Sequence, residues 1–150
     1  MKLTAAEEHG LRCLLQIARK GPGGSATIAE IAGREGMTEA HAAKTLRALR
    51  TAGLVASTRG QAGGYGLARP AHQLMVREVL LLLGEPLFAD GFCDRHAGIA
   101  ARCRHASDCS IRAVWRKVQA AVDAALAGLT LQDLLGPDRT IREPAAPPGP

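Results

Sequence analysis

Three of the four cysteines in this chain, Cys93, Cys103 and Cys109, share one short basic stretch, FCDRHAGIAARCRHASDC. As thiolates they are soft, anionic donors suited to an iron–sulfur cluster or to zinc. Zinc favours closed four-ligand sets built on short Cys-x-x-Cys pairs, and none occurs here. The spacing is Cys-x9-Cys-x5-Cys, so a fourth position must be filled from elsewhere. The metal-free alternative is a reversible thiol switch. The fourth cysteine, Cys13, lies near Ile17 within an apolar pattern and reads as a buried small hydrophobe, not a ligand.

The elements that must carry these cysteines sit in a chain of 150 residues. That is one ordinary domain, or a small domain with a dimerisation arm. The longest apolar run, Val79 to Leu83, is far too short to span a membrane, and the N-terminus lacks the order of a signal peptide. The expectation is a cytoplasmic protein, where cysteines serve more often as metal ligands or redox thiols than as structural disulfides. Charge is divided unevenly. Residues 1–70 hold ten Lys/Arg against five Asp/Glu, whereas residues 71–150 hold nine of each. The whole net charge of +5 therefore rests on the N-terminal half, as expected if that half faces a polyanion.

The pattern along the chain predicts a mainly α fold with a small β-hairpin wing. A first helix over 2–20 places Leu11, Leu14, Leu15 and Ala18 at i, i+3, i+4, i+7 spacing. A short helix over 25–34 and a third over 39–52 are joined at Gly36, with Thr38 as N-cap of the third. That third helix carries Lys44, Arg47 and Arg50, and the pair forms a helix-turn-helix signature. Residues 54–59, a glycine-rich tip at 60–64 and returning residues 65–69 form the wing. A fourth helix is expected over 73–84, a loop over 85–108, and a long helix from Cys109 to Leu129. In that helix Ile111, Trp115, Val118, Val122, Ala125 and Leu129 make a heptad seam suited to packing along another helix. The favoured partner is a second copy, giving a homodimer. Thr130 to Asp133 resembles a capping box for a last short helix, and the Pro-rich residues after it read as a disordered tail. The expected division is a winged helix-turn-helix domain over 1–70, a cluster loop with dimerisation helices over 71–135, and the tail over 136–150.

From Met1 to about Leu135 the chain resembles the IscR/NsrR/RirA-type, or Rrf-two, winged helix-turn-helix regulators. The resemblance rests on the opening MKLT, the LRALRTAGLV segment, the wing TRGQAGGYGLARP, the late CSIRAVW and the three cysteines. It implies a homodimer, binding to a double-stranded DNA operator, and in many members an iron–sulfur cluster near the dimer interface. It places Thr38, Ala40 and Ala43 at base-facing positions of the recognition helix, and it matches Arg59 with Gly63 and Gly64 to a wing that enters the minor groove. Some members have a glutamate at the place of Ala43, so their operator preference does not transfer. His41 is the nearest polar candidate for a base contact.

The resemblance also implies a ligand set. Cluster-binding members hold three cysteines in this loop, matched by Cys93, Cys103 and Cys109. A histidine three residues beyond the last cysteine serves one subgroup; here Arg112 stands there. Others use an acid on the partner's first helix, where Glu8 stands. A histidine four residues further serves a third kind, and Arg12 replaces it. The expected set is the three cysteines with Glu8 in trans; His105, His96, His9 and Asp94 are the remaining polar candidates. Three thiolates and a carboxylate favour a 4Fe–4S cluster over 2Fe–2S. The function so implied is a transcriptional repressor under cluster control; the alternative is a cluster-free thiol switch on the same fold. An enzyme is not expected, because no Ser/His/Asp set, phosphate loop or paired-carboxylate motif stands out.

Overall fold

The structure is a computed structural model that describes residues 4–58, 63–100, 102–105, 108–137 and 141. Its first two helices start on the same device. Helix α1 (Ala5–Ala18) is capped by Thr4, and α2 (Ile28–Glu35) by Thr27. In each, the threonine side chain accepts from the backbone N–H three residues on, and the glutamate there returns a bond to the cap's N–H. Such reciprocal Thr-x-x-Glu boxes satisfy two donors that a helix end leaves without partners. They also sharpen both starts relative to the sequence pattern, at Ala5 rather than residue 2 and at Ile28 rather than residue 25. Lys20, followed by the bonds from Thr27, holds the Glu30 carboxyl down at about 2. A depressed carboxylate supports the fold above its unfolded pKa and loses that support as pH falls toward 2.

Helix α3 (Glu39–Thr51) follows the Gly36 turn, whose φ of +65° is a left-handed conformation that glycine adopts without strain. Strands β1 (Val55–Thr58) and β2 (Gly64–Leu67) pair antiparallel, from Val55 opposite Leu67 to Thr58 opposite Gly64. The expected tip at 60–64 is one residue shorter at its far end, because Gly64 belongs to the strand. A third element joins this hairpin. Ala26 and Tyr65 exchange backbone bonds of 3.0 and 2.9 Å, so the residues before α2 do not continue as helix.

The expected helix over 73–84 is confined to α4 (Val76–Leu83), and a 3₁₀ turn (Ala71–Gln73) precedes it. Between them the backbone is extended and bridges residues that lie far on in the chain. Leu131 N–H donates to Leu74 at 2.8 Å and Val76 N–H to Leu129 at 2.9 Å. The segment from Gly128 therefore returns to the first unit, and the fold divides into two compact units: residues 4–84 with 128–137, and Glu85–Ala127. The first is built on Leu14, Ile17, Ile31, Leu46, Leu49, Leu54, Leu74, Val79 and Leu131, all fully buried, with Leu134 and Leu135 packed beside them. The capping box at Thr130 is present, with Asp133 accepting at 2.8 and 2.6 Å, but it opens only a 3₁₀ turn, Asp133–Leu135. Leu131→Ala is expected to destabilise this unit by about 2–5 kcal/mol, the range for emptying a filled core position, read as a lowered denaturant midpoint.

The second unit contains a short helix where only loop was expected, α5 (Phe92–Arg95), and then α6 (Ser110–Ala125). Helix α6 ends earlier than its heptad pattern predicts. Gly128 takes φ +76°, and Leu129 leaves the seam to bond Val76 in the other unit. The seam thus runs from Ile111 to Ala125.

Candidate nucleic-acid interface and metal centre

Helix α3 sorts its residues by face. Ala42, Leu46 and Leu49 are fully buried, which fixes the helix on α1 and α2 and turns Ala40, His41, Lys44, Arg47 and Arg50 outward. None of these three cations has an acidic partner among the described residues. A row of unpaired cations on one exposed helical face is what phosphate neutralisation requires. Ala43 is half-buried, and Thr38 caps the helix, its Oγ1 accepting from His41 N–H at 3.2 Å. The His41 ring does not stand free. Its Nε2 lies 2.7 Å from His9 Nδ1 on α1, with the rings edge to face at 4.6 Å.

The wing's glycine has a packing reason. A Cβ at Gly64 would come within 2.6 Å of the Ala26 carbonyl oxygen, so the close pairing of hairpin and pre-helix segment admits no side chain there. Gly63 adjoins it; Arg59 lies outside the described residues.

The cysteines separate into two kinds. Cys13 is fully buried in the core of the first unit. Burial, then the Glu35 carboxylate, pushes its thiol up to about 11, so at neutral pH it is protonated and a poor ligand. Cys93, Cys103 and Cys109 are all free and half-buried, on α5, in the intervening loop and at the start of α6 respectively. Cys109 is the N-cap of α6, its Sγ accepting from Arg112 N–H at 3.4 Å. Native alkylation of metal-free protein with iodoacetamide is expected to label Cys93, Cys103 and Cys109 and to spare Cys13, which reacts only after denaturation, as peptide mass mapping would report.

Among the described residues, no three His, Cys, Asp or Glu side chains are gathered as a ligand set. The donor chemistry nevertheless fits a soft-metal cluster: three free thiols on one compact unit, each open to solvent on one side. Glu8 is exposed and belongs to the other unit, with its carboxylate 2.7 Å from Arg12 Nε. His96 makes a ring contact that the spacing of the cysteines alone did not flag. Its ring stacks on Phe92 at 4.2 Å, which in turn meets Phe88 at 5.4 Å. The only sequence signal was the four-residue spacing of Phe92 and His96; Phe88 lies before the helix.

Two capped helices at a glycine turn, a basic outer face on the second, and a hairpin directly after it define a winged helix-turn-helix DNA-binding protein. Residues 3–137 match the Rrf2 family, described as "Iron-dependent Transcriptional regulator". Protein rrf2 of Nitratidesulfovibrio vulgaris is 36% identical over 135 residues, covering 90% of this chain and 87% of that one. The transcriptional regulator IscR of Cronobacter sakazakii is 30% identical over 135 residues, with 90% and 80% covered. Among solved structures, T. potens IscR superposes with a TM-score of 0.70 at 27% identity, covering 90% and 86%. CymR, the global cysteine regulator of B. subtilis, shares the fold with a TM-score of 0.67 at 23% identity, covering 90% and 96%. The chain belongs to the Rrf2 family of transcriptional regulators, DNA-binding proteins rather than enzymes. No helix among the described residues is long and apolar enough to cross a membrane.

Proposed function

We propose that this protein is a homodimeric repressor whose operator affinity is set by an iron–sulfur cluster, 4Fe–4S in preference to 2Fe–2S, held on Cys93, Cys103 and Cys109. The observation that carries this reading is the placement of Cys109. It caps the same helix whose apolar face lacks cover, so a ligand on its sulfur acts directly on the start of that helix. Helix α6 has no buried residue in sixteen, and Ile111, Val114 and Trp115 are exposed. A helix of that length is marginal in water unless an apolar face is packed. A second copy laid along the Ile111–Ala125 seam supplies that packing.

On the DNA side, Thr38, Ala40, His41 and Ala43 face bases, Lys44 and Arg47 neutralise phosphates, and the wing with Arg59, Gly63 and Gly64 enters the flanking minor groove. The cluster, when bound, supplies a labile, redox-active centre. The chain's thiols hold it, and the resemblance offers Glu8 of the second copy for the remaining iron. Its exposed pairing with Arg12 is worth at most about 1 kcal/mol and so does not bar that role.

Anaerobic purification followed by native mass spectrometry and an acid-labile sulfide assay tests the reading. A dimer carrying iron and sulfide in equal numbers is the expected result. A sulfide-free zinc protein, or a metal-free protein whose DNA binding responds to thiol oxidation alone, overturns it.

A further inference from the structure

We infer that His96, in cis, is the nitrogen ligand that completes the cluster site, an assignment that rests on the cluster reading above. Three observations on one short segment lead there.

The first is spacing. Cys93 lies on α5 and His96 caps its end, with His96 N–H bonded to the Cys93 carbonyl at 3.3 Å. Residues three apart on a helical turn share a face, and Glu-x-x-His pairs on helices bind iron by that spacing. The second is the tautomer. His96 Nδ1 lies 2.8 Å from the Phe92 carbonyl oxygen. A carbonyl only accepts, so Nδ1 carries the proton, and in the neutral ring Nε2 keeps its lone pair. Donation from the non-ligating ring nitrogen to a backbone carbonyl is the arrangement that supports metal-binding histidines. The third is restraint. The ring stacks at 24° on Phe92, Phe92 leans on Phe88, and Phe88 N–H donates to Gln119 of α6 at 3.2 Å. Because the ring is held before any metal arrives, ligation costs little rotamer entropy.

Glu8 is exposed, as His96 is, but its carboxylate sits against Arg12, a weak pairing that must still be given up, and it must come from a second chain. Imidazole is also a better match than carboxylate for iron held by thiolates. With His96 in place, Cys93, His96, Cys103 and Cys109 form a complete set of four from a single chain.

The test is pulsed EPR on the reduced, anaerobically purified full-length dimer labelled with ¹⁵N-histidine. A directly bound ¹⁵N coupling is expected in the wild type and in Glu8→Ala and His105→Ala, and its loss is expected in His96→Ala. His96→Cys is expected to retain the cluster and lose the nitrogen coupling, which separates ligation from a structural role of the ring. Wild-type protein without acid-labile sulfide overturns the cluster reading and this assignment together. A cluster with no nitrogen coupling, or with coupling that survives in His96→Cys, overturns His96 alone.

Discussion

Cys103→Ala is expected to abolish the visible absorption of anaerobically purified protein and to weaken operator binding by roughly 5- to 150-fold, the span of a coupling of about 1–3 kcal/mol. Cys103 is the cleanest of the three positions. Cys109 caps α6 and Cys93 lies within α5, so their loss also disturbs a helix, whereas Cys103 lies outside any helix. The direction follows from order. A ligated loop has less conformational freedom left to lose when both recognition helices engage DNA, so the loaded form is expected to bind tighter. Linkage makes the effect reciprocal: operator DNA must tighten cluster binding at equilibrium by the same factor. Fluorescence anisotropy on one operator at fixed salt reads the affinity, and cluster occupancy at equilibrium against a competing chelator, with and without DNA, reads the converse. Cys13→Ala is the control, expected to keep the cluster. A full-intensity cluster in Cys103→Ala, or unchanged affinity without one, sinks the ligand assignment.

Val122→Glu is expected to dissociate the dimer. In the paired state the new carboxylate would be buried without a partner, at a cost of about 3–5 kcal/mol, or roughly two to three and a half decades in dissociation constant. Sedimentation velocity reads this directly. Trp115 gives a second signal, since it is 45% exposed in the single chain and its emission shifts to the red if a partner no longer covers it. A dimer of unchanged strength would place the interface elsewhere than the Ile111–Ala125 seam.

The sequence pattern was most legible where a single periodicity governs. The buried faces of α1 and α3, the Gly36 turn and the antiparallel wing all follow from local spacing and caps. It failed where distant residues decide. Leu129 continues the heptad count perfectly well, yet Gly128 and the bond to Val76 draw it into the other unit. Ala26 and Met75 fit helical patterns, but their bridges to Tyr65 and Thr130 hold them extended. No local signal encodes such a partner. The candidate site divides in the same way. Donor type and spacing single out the three cysteines, and burial separates Cys13 from them. The orientation of His96 depends on a carbonyl and a ring four residues back, and only three-dimensional placement shows that both are engaged. The pairing of His41 with His9 spans thirty-two positions and was equally invisible.

Because Leu131 is a core residue of the DNA-reading unit, the order of synthesis carries a consequence. Chains emerge from the ribosome N-terminus first, so the cysteine-bearing segment is made before the reader's core can close. A product that terminates anywhere in the Glu85–Ala127 segment lacks Leu131, Leu134 and Leu135 and the pairing across Leu74 and Val76. Such a fragment is expected to be cleared by proteolysis rather than to occupy operators. Quality control at translation would then couple the ability to read DNA to possession of the whole cysteine-bearing segment.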